Sequence, residues 1–519
     1  MTIAPRIYQA SARHLVSGTD PEQPPGTLDS IDEKWLAGVA AKGFNWLYLY
    51  GVWDSGNAGR AISKAHPSMW ATAASHLPQG SIEDVSGSPF AIREYRVDPR
   101  LGDEGSLKRL RERAQKSGLY LMLDFVVNHT ALDHPWVTHR PEWFVQAKND
   151  AADVRRDGFV PLPTNRTCQS EWRIFAHGKD PYFPAWVDTL QLNLLHPDLI
   201  RAHTENLLLA ARQCDGLRCD MAMLALGDVF RGTWGSLADP ADGSPCADED
   251  FWTTAIDQLR SNVPNCLLCG EIYWSMEGRM LDMGFDLAYD KAAYDLLCHG
   301  NGRSLQGYEA AVSGRIHSLV RFGENHDEPR MAEAFGQARS LAALPLILGH
   351  DGPILVHHGQ LQGERIRAGI HLSREAPASS DKEITNRANL ILDMLRDGGE
   401  KQVVGVGAAW PGNPSHECLI ANAWQSTGKS FLICVNFADH PSQARVILPA
   451  SWIESAKTAT NLDLQDHISG LIISPSLKEV EEKGLFVELP AWGTHFFEIG
   501  TRVSQRNFPT VVSNPKVFG

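Results

Sequence analysis

Gly216-Leu217-Arg218-Cys219-Asp220 sets an arginine and an aspartate two positions apart in an apolar alternation. On a strand, period-2 geometry puts Arg218 and Asp220 on one face. A guanidinium beside a carboxylate lowers the carboxylate's pKa and keeps it ionised. An ionised, oriented aspartate at a strand's end has the form of a nucleophile. The same five residues also suit a structural ion pair, so the choice rests on what surrounds them.

Working outward, strand and helix signals alternate over residues 1–400. Ile7 to Ala10 reads as a first strand. Ser30 with Glu33 forms a capping box that opens a helix running to about Lys42, with Gly43 ending it. Phe44 to Tyr50 is an apolar strand. Residues 54–95, rich in Gly, Ser and Pro, read as a long excursion, with Trp53, Trp70, Phe90 and Tyr95 in or near it. Leu107, Leu110 and Ala114 have helical spacing up to Gly118. Leu119 to Val127 is a buried strand carrying Asp124 and running into Asn128-His129. Residues 130–187 hold many Pro, Trp and Phe and little periodicity, which predicts an inserted domain. Ile200, Leu207, Leu208 and Ala211 share a helical face before the opening strand. A helix near 248–262 leads to Cys266 to Glu271. Further strands follow at Phe285 to Tyr289, Ser318 to Phe322 and Pro353 to Val356.

This alternation predicts a (β/α)8 barrel built from residues 1–129 and 188–404. Four strands end in polar residues: Asn128-His129, Asp220, Glu271 and His326-Asp327. In such a barrel all strand ends converge on one rim. After about residue 405, Ser430 to Phe437, Arg445 to Leu448 and Gly493 to Glu498 predict an antiparallel β domain over 405–500, with 501–519 as a surface tail.

Composition narrows the function. The chain has 519 residues, 43% hydrophobic and 21% charged, with a net charge of −14. That charge disfavours nucleic acid and anionic membranes as partners. No apolar run is long enough to span a bilayer, and no leader segment stands at the start, so a cytoplasmic location is expected. The nine cysteines are scattered and odd in number, as for reduced thiols. Cys266-x-x-Cys269 has no second pair at zinc spacing.

Three carboxylates, an arginine and two histidines on one rim suit glycoside hydrolysis by a pair of acids. Asp220 beside Arg218 fits the ionised partner. Glu271 follows an apolar strand, and an apolar setting with two nearby anions raises a carboxyl's pKa, as a general acid requires. Asp327 is placed to bind sugar hydroxyls, with His326 and His129 as neutral donors. A metal hydrolase built on His129, Asp133, His134, His326, Asp327, His357 and His358 is the rival reading, but these residues lack tight ligand spacing.

Asp124-Phe125-Val126-Val127-Asn128-His129, Gly216 to Asp220, Gly270-Glu271 and Asn325-His326-Asp327 resemble, in order, the four motifs of the α-amylase family, glycoside hydrolase family 13. The resemblance implies a retaining mechanism with Asp220 as nucleophile, Glu271 as acid/base and Asp327 as transition-state stabiliser. It implies Arg218, His129 and His326 as ligands of the sugar at the cleaved end, with Asp124 and Asn128 supporting that pocket. Phe90 stands where the family carries an aromatic platform, but Ala91 replaces the Asp that follows it. Met223 and Leu224 occupy the positions of a Lys-His pair that serves the acceptor side and a calcium site in many amylases. No cofactor is therefore expected, and calcium is unsupported. Leu361 replaces the Glu of a late Gly-Gln-Glu. The expected substrate is a small α-glucan or α-glucoside. Hydrolysis is favoured over transfer or isomerisation through the same intermediate, and a non-catalytic amylase-like binding protein is the remote alternative.

Overall fold

Eight parallel strands close into a barrel in the computed structural model, each hydrogen-bonded to its sequence neighbours. They are β1 (Arg6–Ser11), β2 (Trp46–Tyr50), β3 (Tyr120–Val126), β4 (Gly216–Asp220), β5 (Leu267–Gly270), β6 (Leu287–Tyr289), β7 (Leu319–Phe322) and β8 (Ile354–His357). The structure describes residues 4–499 except 19, 21–22, 24, 78, 148–157, 165–171, 368, 397–398 and 427–428. The predicted (β/α)8 barrel is thus observed, with every residue of β2, β4 and β8 buried. Strands covered on both faces read as continuous apolar runs, which is why they were visible in the sequence.

The helices between strands bury one stripe each. Helix Glu104–Lys116 is capped by Asp103, which accepts from the Ser106 amide, and buries Leu107, Leu110 and Ala114. Helix Pro197–Arg212 starts with Pro at its first position and buries Leu199, Ile200, Leu207, Leu208 and Ala211. Each such buried leucine contributes about 1.5–3 kcal/mol.

One local expectation needs correction. Ser30 does not cap the early helix: it lies in a short 3-10 turn, Leu28–Ser30, and Asp32 caps helix Glu33–Ala41 instead. Asp32 sits next to the helix and reaches the Lys34 amide at 2.9 Å, so the nearer carboxylate takes the role. The long excursion after β2 carries secondary structure of its own, which the sequence reading did not assign. It folds into helices Ala58–Ala65 and Pro67–His76 and a strand pair, Trp53–Asp54 with Glu94–Val97.

Within residues 130–187, Phe159–Pro163 pairs antiparallel with Trp172–Ala176. Two compact units emerge. One comprises residues 1–300 and 307–396, the other 301–306 and 397–519. The second unit contains a six-stranded sheet, centred on Leu419–Ser426, Lys429–Asn436 and Thr494–Ile499, and a three-stranded sheet, Gly405–Ala408, Ser442–Ile447 and Leu485–Leu489. The pairings among these segments are antiparallel, as predicted. Leu432, Cys434, Trp452, Leu464 and Phe497 belong to its core. The tail expected at 501–519 lies outside the described residues. Among the described residues, no helix is long and apolar enough to cross a membrane.

Candidate active site

Register places the carboxylates. β4 pairs β5 with Arg218 opposite Cys269 and Cys219 opposite Gly270, so Asp220 and Glu271 emerge side by side at the strand ends. β3 pairs β4 with Arg218 opposite Asp124. Arg218 is fully buried. Its Nη1 donates to Asp220 Oδ1 at 2.5 Å. Its Nη2 lies 2.7 Å from Glu271 Oε2 and 3.8 Å from Asp327 Oδ2, in ion contact without hydrogen-bond alignment. One guanidinium therefore collects all three carboxylates. These contacts let Arg218 position the acids.

The surroundings decide the charges. Burial pushes Asp220 up; Arg218 pulls it down, and Asp327 and Asp124 push it up again. The net direction is upward. This corrects the expectation that Arg218 alone holds Asp220 low, because desolvation of a carboxylate at this depth outweighs one ion pair. Glu271 is also raised, by burial first and by Asp220 and Asp327, against the pull of Arg218. It accepts hydrogen bonds from Tyr273 Oη at 2.7 Å and the Met221 amide at 2.9 Å. Met221 offers that amide from a left-handed conformation, φ 41°, unusual for a residue with a Cβ. Asp327 behaves differently. Desolvation pushes it up, but its side chain is 42% exposed, and His326 at 3.0 Å and Arg218 hold it well below the usual carboxylate range.

The remaining expected residues divide into two groups. His326 stacks on Phe90 with ring centres 4.9 Å apart and pairs with Gln9 Nε2 at 2.8 Å. Phe90 is itself buried, with the Arg218 guanidinium 5.3 Å from its ring centre. Asp124 is buried and accepts from Tyr48 Oη at 2.5 Å and the Gly51 amide at 3.0 Å. Burial raises its carboxyl against Arg218 and those two donors. Asn128 exchanges hydrogen bonds with Gln191, at 3.1 Å and 2.9 Å. His129 packs on Trp186, with ring centres 5.0 Å apart. Burial pushes its imidazole down to about 3, so it is neutral at pH 7. The structure thus brings Asp220, Glu271, Asp327, Arg218, His326 and Phe90 into one linked cluster. His129 reaches this cluster through a hydrogen bond to the Phe90 backbone, and Asn128 pairs with Gln191 of the strand Thr189–Gln191.

Sequence reasoning missed Gln9, Tyr48, Tyr50, Gln191 and Tyr273. Tyr48 and Tyr50 share one face of β2, and Gln9 is a buried polar residue in β1. A polar or hydroxyl group inside an apolar strand was the available signal. Met223 and Leu224 are buried in the turn Ala222–Ala225 and offer no hard oxygen donor on their side chains. Among the described residues, no group of three or more His, Cys, Asp or Glu is placed to hold a metal ion. A cavity of about 640 Å³ opens beside the loop that follows Glu271, walled by Tyr273, Trp274, Ser275 and Lys291. Trp274 and Ser275 both have positive φ, 62° and 60°, so this loop is locally strained.

Comparison with known proteins agrees with this arrangement. Residues 86–282 match the family model of the α-amylase catalytic domain. The chain is 23% identical to the α-amylase MalA of Haloarcula japonica over 365 residues, 69% of this chain and 48% of that protein. It is 34% identical to the α-1,4-glucan:maltose-1-phosphate maltosyltransferase of Cereibacter sphaeroides over 151 residues, 28% of this chain and 22% of that protein. The matched regions thus span about half and about a fifth of these two relatives. The maltogenic α-amylase AmyB of Thermotoga neapolitana shares the fold, with a TM-score of 0.63 at 19% identity, covering 96% of this chain and 99% of that one. Three of the four motifs fall within residues 86–282, the segment that matches the α-amylase catalytic-domain model, so that segment is similar in sequence to that domain, and the whole chain shares its relatives' barrel fold.

Proposed function

We propose that the chain is a retaining α-glycosidase acting on short α-glucans or α-glucosides. The observation that carries this reading is the single Arg218 guanidinium holding Asp220 and Glu271 on adjacent strands, with Asp327 at 3.8 Å. Asp220 attacks the anomeric carbon as the glycosidic bond breaks, and Glu271 gives its proton to the departing oxygen. The raised Glu271 carboxyl suits that donation. Asp327, held ionised by His326, faces the positive charge that develops on the sugar ring. Glu271 then takes a proton from water, which attacks the glycosyl-enzyme and releases a sugar of retained configuration. Asp220→Asn removes the nucleophile, and glucoside turnover is expected to fall by roughly 10³-fold or more. Unchanged turnover by that variant would sink the mechanism.

The second reading is transfer to a sugar hydroxyl from the same intermediate. It is favoured by the 34% identity to maltosyltransferases of Cereibacter sphaeroides within a 151-residue segment. Chromatography of products from maltotriose separates the two. Glucose and maltose alone mean that water is the acceptor, whereas longer or rearranged sugars mean transfer.

A further inference from the structure

A cavity of about 370 Å³, separate from the carboxylate cluster, brings together Arg13, Arg60 and Arg100 with Ser17, Ser86 and Ser373. None of these residues takes part in the chemistry above. Arg13 lies on helix Ala12–Ser17 directly after β1, Arg60 on helix Ala58–Ala65, and Arg100 just past strand Glu94–Val97.

The charges of this cavity do not balance internally. Arg13 is only 5% exposed. It donates from Nη1 to Ser86 Oγ at 3.1 Å and to the Gly87 carbonyl at 2.7 Å, and from Nη2 to Ser55 Oγ at 2.9 Å. All three acceptors are neutral, and its buried Nε has no partner. A guanidinium carries five N–H donors, so two remain unserved. Burial, with Arg100 and Arg60 acting in the same direction and Asp98 and Tyr50 pulling the other way from beyond ion-pair distance, pushes its pKa down to about 10, which still leaves it charged at neutral pH. A buried cation without a counter-charge is costly, and structures normally pair it.

Two carboxylates also line the cavity, and both are engaged elsewhere. Asp98 accepts from Arg100 Nε at 2.9 Å and Nη2 at 2.5 Å. Glu83 is held by Lys64 Nζ at 2.6 Å and is 4.0 Å from Arg60 Nη2. Arg60 also has a buried Nε without a partner. Arg13 therefore has no carboxylate partner among the described residues, and Arg60 has only a distant one.

We propose that this cavity binds a phosphate-type oxyanion, free or as a small phosphate monoester. Two under-compensated guanidinium groups match a tetrahedral dianion, which arginine forks recognise through paired N–H donors. The Ser17 and Ser373 hydroxyls supply further neutral donors. The volume admits a phosphate with a small organic substituent.

Isothermal titration of the full chain with inorganic phosphate, and separately with glycerol 3-phosphate, at constant ionic strength tests this. One or both are expected to bind saturably. Binding of free phosphate identifies the anion itself as sufficient; binding of the ester alone identifies the monoester. Arg60→Gln, at a side chain 31% exposed, is expected to weaken binding about tenfold or more while circular dichroism stays native. Arg231→Gln, on the exposed face of helix Gly227–Trp234, is expected to bind as the native chain does. No saturable binding of either probe below about 10 mM, or equal binding by Arg60→Gln and the native chain, overturns the proposal. The measurement uses no turnover, so it stands or falls independently of the glycosidase reading.

Discussion

Tyr273 offers a way to shift Glu271 without altering its carboxyl. Its hydroxyl donates to Glu271 Oε1 and favours the ionised form. Tyr273→Phe removes that donor, so Glu271 keeps its proton to higher pH. A hydrogen bond to a charged group is worth about 1.5–3 kcal/mol, and 1.36 kcal/mol corresponds to one pH unit. The alkaline limb of kcat against pH is expected to move up by roughly one unit; a lower kcat with an unmoved limb would mean that Tyr273 acts only by packing. Individual residues were unevenly legible in the sequence. The carboxylate trio stood at strand ends, where motif and topology coincide. The direction of the shift at Asp220 was misread because an Arg two positions away shows in a sequence, whereas the desolvation that outweighs it depends on the whole rim. Tyr48 and Gln9 escaped because their partners, Asp124 and His326, are far along the chain.

The strands carry a second constraint. Gly216 opens β4 where a Cβ would lie 2.8 Å from the Trp46 ring and 3.1 Å from the Leu267 carbonyl. Both neighbours are barrel strands, so neither yields cheaply. Gly216→Ala is expected to cost about 1–3 kcal/mol in urea unfolding, with the residual folded fraction still active. Barrel strands were legible because burial on both faces leaves apolar runs. The helices Ala58–Ala65 and Pro67–His76 were not, since their buried faces are sparse: Gly59 and Ser63 in one, Ala73 in the other. In Pro67–His76 so few apolar positions leave no strong 3.6-residue pattern, while Ala58–Ala65 is amphipathic but short and lies in a stretch rich in Gly and Ser. The cap of helix Glu33–Ala41 was missed by two residues because Ser30 has Glu33 at capping-box spacing, whereas the true cap, Asp32, has Trp35 there.

At the scale of the molecule, pH acts through groups buried away from the rim. Arg330 holds Glu324 at 2.8 Å and Glu364 at 2.9 Å, with Glu375 at 3.5 Å. Burial, helped by Glu364, raises Glu375 from 4.5 to about 7 against the pull of Arg330. The folded state thus keeps a proton that the unfolded chain releases. The stability this contributes is present below about 4.5 and is lost as pH rises through about 7. Glu375→Gln keeps the neutral form at every pH. Relative to the native chain it is expected to gain about 1–3 kcal/mol between those limits and nothing below them, measured by denaturant titration across the range. The closed barrel and the second β unit followed from patterns spread over hundreds of residues, which single misreadings did not disturb. The placement of Asp220 beside Glu271 has a further consequence, for what kinds of change the gene tolerates. The pairing of Cys219 with Gly270 works as a ruler, and each strand residue is one division of it. Loops at the rim can lengthen or shorten without moving that ruler. A single codon deleted within Leu267–Gly270 shifts Glu271 by one division and turns it to the opposite face of the strand. Such a deletion is expected to leave a folded barrel by circular dichroism and no glucoside turnover. In this fold, insertions and deletions are permitted in the connections and excluded from the staves.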